Sequence, residues 1–176
     1  MDYQALEEHI KDSVMEEQAK LGFRKEVIRL YYPVGMLNNL FGTACDAEEM
    51  QQALAGFTDF AKERLGEVTI THKKDRFCLL LPEETSIYVH EHKKENEFIH
   101  QLVNLIASHE TDMEQLKKLF EQQPFPSVVE QTTGGEFDTV IHFTQGDDRY
   151  YYCFKDEGFH ITYHRFLPAD YKDLGV

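Results

Sequence analysis

The sequence has no tryptophan, only five prolines and three cysteines, and no long apolar run. Each scarcity excludes something. Cys45, Cys78 and Cys153 are odd in number and widely spaced, which fits reduced thiols better than a disulfide framework. Without a C-x-x-C pair, neither a zinc knuckle nor a thioredoxin-type redox motif can be written. The longest apolar stretch lies around Leu79-Leu80-Leu81, far short of the roughly 20 residues a helical membrane span needs. Met1-Asp2-Tyr3-Gln4 leads into an acidic amphipathic stretch, with none of the basic and apolar segments of a secretory leader. A soluble, cytoplasmic protein is expected.

Positive charge is also in short supply. Lys and Arg number 18 against 32 Asp and Glu, for a net charge of −14. The deficit is spread evenly: −5 over residues 1–66, −4 over 67–123 and −5 over 124–176. Nonspecific binding to nucleic acid or to an anionic membrane needs clustered cations, so neither partner is expected. An acidic surface steers basic proteins, but an even spread marks no particular docking site.

The common catalytic signatures are missing as well. There is no GxxxxGK[ST] phosphate loop, no GxSxG elbow and no HExxH helix, and Gly134-Gly135 stands alone rather than within GxGxxG.

What is present is a chain of 176 residues with 41% hydrophobic and 28% charged side chains. That suits one compact domain over 1–176, with room for two lobes. Leu6, Ile10, Val14 and Leu21 at helical spacing predict a first helix over 2–21, stopped at Gly22. Glu26–Tyr32 reads as a short strand, and Pro33 opens a short helix closed by Gly42. Asp46 and Glu49 form a box-like cap before a 3.6-residue pattern running from Met50 to Leu65. Val68–His72 and Phe77–Leu81 read as a hairpin turning at Lys73-Lys74-Asp75. Residues 83–93 stay open: Pro82-Glu83-Glu84 suits a helix start, whereas Ser86–His90 suits a strand. Phe98–Ile106 predicts a broadly apolar helix, and Thr111 with Glu114 a second capping box.

Beyond Pro124-Phe125-Pro126, residues 124–176 hold 11 of the 22 aromatic residues. Phe137–Thr144, Arg149–Phe154 and Phe159–Phe166, separated by Gly- and Asp-bearing turns, predict an antiparallel β-meander, with Val128–Gln131 as a further strand. The fold class is therefore α+β: N-terminal and central helices packed on short strands and a hairpin, then a C-terminal meander.

Histidine offers the main chemistry. Strand alternation puts His160 and His164 on one face, with Asp138 and His142 on the polar side of the preceding strand. That face could gather His142, His160, His164, Asp138 and Cys153. Imidazoles with a carboxylate suit a divalent metal such as zinc or iron, so these four are the metal candidates, and a small metal-dependent enzyme is the alternative to a binding protein. No other cofactor is indicated. The plainer reading is a solvated or helix-covered polar face. Cys153 beside His142 and His160 is the sole nucleophile–base arrangement, against the ordinary role of a buried cysteine as a small hydrophobe. His90-Glu91-His92 would share a face on a strand and diverge on a helix. His9, His72, His100 and His109 carry no pattern.

Arg29 and Tyr31 alternate onto one strand face and could line a pocket for an acidic group, unless Arg29 simply pairs with a carboxylate of the fold. Lys73-Lys74-Asp75-Arg76 and Arg24-Lys25 are small basic clusters that read as solvated turns. The tyrosine-rich third, with four basic residues against nine acidic, lacks the cations of a nucleic-acid stacking platform.

One stretch carries a resemblance. Glu16-Glu17-Gln18-Ala19-Lys20-Leu21-Gly22-Phe23-Arg24-Lys25-Glu26 runs into Val27-Ile28-Arg29-Leu30-Tyr31-Tyr32-Pro33; Gly42 follows Leu40-Phe41, and Arg76-Phe77 precedes the leucine run. These features resemble a bacterial domain family of about this length whose function is unknown. The resemblance implies a cytoplasmic bacterial protein and no particular chemistry. Together with the missing motifs and the acidic balance, it favours a non-enzymatic acidic module that binds a protein partner.

Overall fold

A computed structural model describes residues 1–94, 96–108 and 110–175, so His109 lies outside the described residues. The fold is α+β with two antiparallel sheets. Contacts cluster in two compact units, 1–95 and 96–176, whereas the sequence alone reads as a single domain over 1–176.

The first unit begins with α1 (Tyr3–Leu21), whose Asp2 cap accepts the Ala5 N–H. After β1 (Ile28–Pro33) come α2 (Val34–Phe41), α3 (Ala47–Leu54) and α4 (Phe57–Leu65). The pattern from Met50 to Leu65 is thus two helices rather than one. The break falls where the Tyr3 hydroxyl takes the Ala53 carbonyl at 2.6 Å and its ring crowds Gly56. A Cβ on Gly56 would sit 2.8 Å from that hydroxyl. Asp46 and Glu49 form the expected capping box.

The hairpin β2 (Thr69–Lys73) and β3 (Arg76–Leu81) turns through Lys74, held at φ 55°, and leads into α5 (Glu83–His92). The open segment is therefore a helix. Thr85, Ser86 and Val89 bury one side of it, with the Thr85 hydroxyl on the Leu65 carbonyl and the Ser86 hydroxyl on the Arg24 carbonyl.

The sheet order is β1-β3-β2, both pairings antiparallel. Its inner face brings Leu30, Tyr32, Phe77, Leu79 and Leu81 against Leu6, Ile10 and Val14 of α1 and Phe57, Ala61 and Leu65 of α4. At about 25 cal/mol per Å² of apolar surface removed from water, this layer is the main stabilising term of the unit.

The second unit starts with α6 (Glu97–Ala107) and α7 (Met113–Glu121). The second capping box forms one residue later than expected, from Asp112 and Gln115. Thr111 instead turns its hydroxyl to the Leu105 carbonyl. The strands β4 (Ser127–Gln131), β5 (Thr139–Phe143), β6 (Tyr151–Asp156) and β7 (Ile161–Phe166) form a meander in sequence order, as expected. On one face, Tyr152 and Phe154 of the sheet meet Phe120 of α7 edge-on, and Tyr152 meets Phe98 of α6 likewise. Ring pairs in this geometry add to the gain from buried area.

A short helix not foreseen in the sequence, α8 (Pro168–Asp173), closes part of the other face. Its Tyr171 stacks on Tyr151 at 4.9 Å, and it shares a buried cluster with Phe137, Val140 and Cys153. Strand alternation from Asp138 would put Phe137 on the opposite side. It precedes the first residue of β5, so strand alternation does not govern it.

Candidate functional site

The histidine-bearing face forms with the expected alternation, but its groups are dispersed. Register aligns Val140, Cys153 and His164 in one row across the sheet, and His142, Tyr151 and Phe166 in the next. His142 on β5 and His164 on β7 therefore have β6 between them. Two strand spacings of nearly 5 Å and a two-residue stagger set their backbones ~12 Å apart.

Each candidate also has its own neighbour. The His142 ring stacks on Tyr151 at 4.2 Å, with Nε2 3.7 Å from Glu130 Oε1. Asp138 accepts from Lys155 Nζ and from the Asp156 N–H, both at 2.9 Å. Those donors hold its carboxyl below the usual range. His160 lies against Phe159, and His164 against Phe137. Among the described residues, no three His, Cys, Asp or Glu side chains gather as a metal site. Cys153 is fully buried, and burial pushes its thiol up to about 12, so almost no thiolate exists at neutral pH. The helical form of α5 separates the other histidine pair: His90 stacks on Phe23 at 3.9 Å and His92 on Tyr88 at 4.4 Å.

The outer face of the first sheet is different. Alternation and register bring Arg29 and Tyr31 of β1, Arg76, Cys78 and Leu80 of β3, and Thr69, Thr71 and Lys73 of β2 to one side. All are exposed except Cys78 and Leu80, which are half-buried, and Tyr31 is 57% exposed. A shallow groove of about 390 Å³ lies here, lined by Tyr31, Thr71, Lys73, Arg76 and Cys78, with His72 and Phe77 completing it.

Three features set its chemistry. First, Lys73 and Arg76 stand directly opposite each other at the end of the hairpin, and like charges so placed are destabilising. Second, no carboxylate forms an ion pair with Arg29, Lys73 or Arg76 among the described residues, although acids outnumber bases in the chain. The Arg76 guanidinium instead lies 5.9 Å over the Tyr31 ring. Third, the groove contains no acid: its long polar side chains offer an ammonium, a guanidinium and two hydroxyls.

The turn that carries the two cations is anchored from below. The His72 ring stacks on Phe77 at 5.2 Å, and its nitrogens reach Gln51 Oε1 at 3.0 Å and the Lys74 carbonyl at 3.4 Å. The Asp75 carbonyl accepts the Val34 N–H at 2.7 Å.

The pairing of Arg29 and Tyr31 on one face was legible in the sequence, but Arg29 pairs with no carboxylate among the described residues. Lys73 and Arg76, read as part of a solvated turn, are the cations that line the groove. The turn expected at Lys73-Lys74-Asp75 is the tighter Lys74-Asp75, so Lys73 ends β2 directly opposite Arg76. The residues running from the Glu16-Glu17-Gln18 helix end through Tyr31-Tyr32-Pro33 are thus the end of α1, its exit loop and the edge strand of this face.

The domain family DUF3877, described as a domain of unknown function from E. rectale, matches residues 3–175. This chain belongs to that family. Neither the curated proteins nor the solved structures include a match to it. The DUF3877 match spans nearly all of both units, so the groove and the histidine-bearing sheet fall within one family pattern.

Proposed function

We propose that the chain is a non-enzymatic interaction module that seats an acidic segment of a partner protein on the outer face of its N-terminal sheet. The observation that carries this reading is the groove beside Tyr31, where Lys73 and Arg76 oppose each other with no acid to neutralise them. The chain as a whole, at −14, would steer basic partners, but contact specificity is set by the local patch, because charges beyond roughly 10 Å are screened at physiological salt. The exposed Tyr31 ring supplies the rigid aromatic area on which interface energy tends to concentrate.

A photo-crosslinking amino acid at position 31, in a bacterium that encodes the protein, tests this. A discrete adduct is expected whose captured segment is rich in Asp, Glu or phosphorylated residues, and which is lost in the double variant Lys73→Glu, Arg76→Glu. The same crosslinker at exposed Phe60 serves as the control. Equal capture at both positions, or an adduct indifferent to the charge reversal, would sink the reading.

A further inference from the structure

We infer that the groove binds a phosphoryl group, held between Lys73 and Arg76 with the Tyr31 and Thr71 hydroxyls as further donors. The inference rests on the docking reading above and names the chemical group that the partner presents. All four side chains line the same groove, and neither hydroxyl has a hydrogen-bond partner among the described residues.

A single carboxylate would neutralise only one of the two opposed cations. A phosphate monoester carries close to two negative charges near neutral pH and three acceptor oxygens, which matches two cations and two hydroxyl donors. The Arg76 guanidinium can meet two of those oxygens at once, while Lys73 acts as a compact point charge. Arg29, on the same face two residues from Tyr31, extends the positive field along β1. The nearest acid in sequence, Asp75, sits on the turn itself, and its carboxylate forms no ion pair with Lys73 or Arg76 among the described residues.

The phosphoryl group could come from a phosphorylated side chain of a protein or from a free phosphate ester, and the experiment separates these sources. Full-length ¹⁵N-labelled protein is titrated with inorganic phosphate, with a neutral peptide carrying one phosphoserine, and with the same peptide carrying glutamate instead. Saturable shifts are expected for the amides of Tyr31 and Thr71–Cys78, with the phosphopeptide tighter than inorganic phosphate if the natural source is a protein. Equal affinity would point to a free phosphate ester. Arg76→Gln and Lys73→Gln should each weaken binding about tenfold, the scale of one charge-assisted hydrogen bond. Lys73→Arg should retain it. Both residues are exposed at a hairpin end, so the variants should fold, which the rest of the spectrum verifies.

Shifts matched by chloride at equal ionic strength, or left unchanged by Arg76→Gln, would overturn the inference, as would tighter binding of the glutamate peptide. If position 31 crosslinks as expected while phosphate fails, the docking reading survives and the phosphoryl inference alone falls. Phosphate binding without any adduct gives the reverse.

Discussion

The two sheets of this protein are built alike and finished differently. Both are antiparallel, and each buries one face against helices. In the C-terminal sheet the second face is partly closed as well: Tyr171 stacks on Tyr151, Cys153 is sealed beneath, Asp138 pairs with Lys155, and the His142 ring stacks on Tyr151 beside Glu130. In the N-terminal sheet the second face stays open, and its cations form no ion pair among the described residues. Polar groups that satisfy one another inside a fold have little left to offer a ligand. The histidines were the more conspicuous feature of the sequence, yet the sheet that carries them is the more self-contained. The proposed binding site lies instead where the fold has left donors unsatisfied.

The cysteines give the widest separation between the two faces. Cys78 sits half-buried on the open face, and Cys153 fully buried on the closed one. Iodoacetamide near neutral pH should alkylate Cys78 in the native protein and spare Cys153. With its thiol raised to about 12, the Cys153 thiolate fraction is roughly a thousandfold below that of an ordinary thiol. Tyr171→Ala removes the cover and should make Cys153 reactive without denaturant, as peptide mass mapping would show. Rapid labelling of Cys153 in the intact chain would break the contrast.

Next in size is the closed aromatic layer. Phe120 is fully buried among Phe98, Phe143, Tyr152 and Phe154. Phe120→Ala should cost about 3–5 kcal/mol, read from denaturant unfolding, and most of the sheet's amide protection should go with it.

A smaller effect concerns Glu7 on α1, whose carboxylate is buried and bonded to Arg64 Nε at 2.7 Å and to Lys11. Burial works to raise its pKa, but the hydrogen bonds from Arg64 and Lys11 outweigh burial and hold it below the ordinary value. A carboxyl lowered on folding contributes stability above its unfolded-state pKa and loses it as pH falls through the folded one. Glu7→Gln should therefore cost roughly 1–3 kcal/mol at neutral pH and flatten the acid limb of the stability profile. An unchanged acid limb would show that Glu7 is not its source.

The smallest effect is the most telling for the open face. Lys73→Glu turns a like-charge cross-strand pair into an opposite one and should stabilise the hairpin by about 0.2–1 kcal/mol while abolishing phosphate binding. A residue whose replacement strengthens the fold and removes binding is there for the ligand. If that variant is instead less stable, Lys73 has a structural role, and the comparison of the two faces loses its sharpest point.

Much of the architecture was legible in advance because it is locally encoded. Helix α1 with its stop at Gly22, the Asp46–Glu49 box, the hairpin around Lys74 and the four strands of the meander follow from spacing, caps and turn residues a few positions apart. The misreadings share a cause. The continuous pattern from Met50 to Leu65 is interrupted by Tyr3, about fifty residues away, and α5 is fixed as a helix by Thr85 and Ser86 reaching Leu65 and Arg24. Cap placement at Asp112 rather than Thr111 is a one-residue competition between two good cap formers, settled by the Leu105 carbonyl.

The sequence by itself determined most of the helices and strands, which neighbouring side chains within a strand share a face, the evenly spread acidic charge and the family. Alternation alone placed Arg29 with Tyr31, because it depends only on backbone pleat. Tertiary structure decided which of those faces stays open. The pairing of β1 with β3 sets Tyr31 beside Cys78 and next to Arg76, joining segments more than forty residues apart, while α8 closes the other sheet. Local propensity cannot specify such contacts. They are selected by the burial of the inner faces, which leaves Lys73 and Arg76 opposed in solvent, where a ligand can reach them.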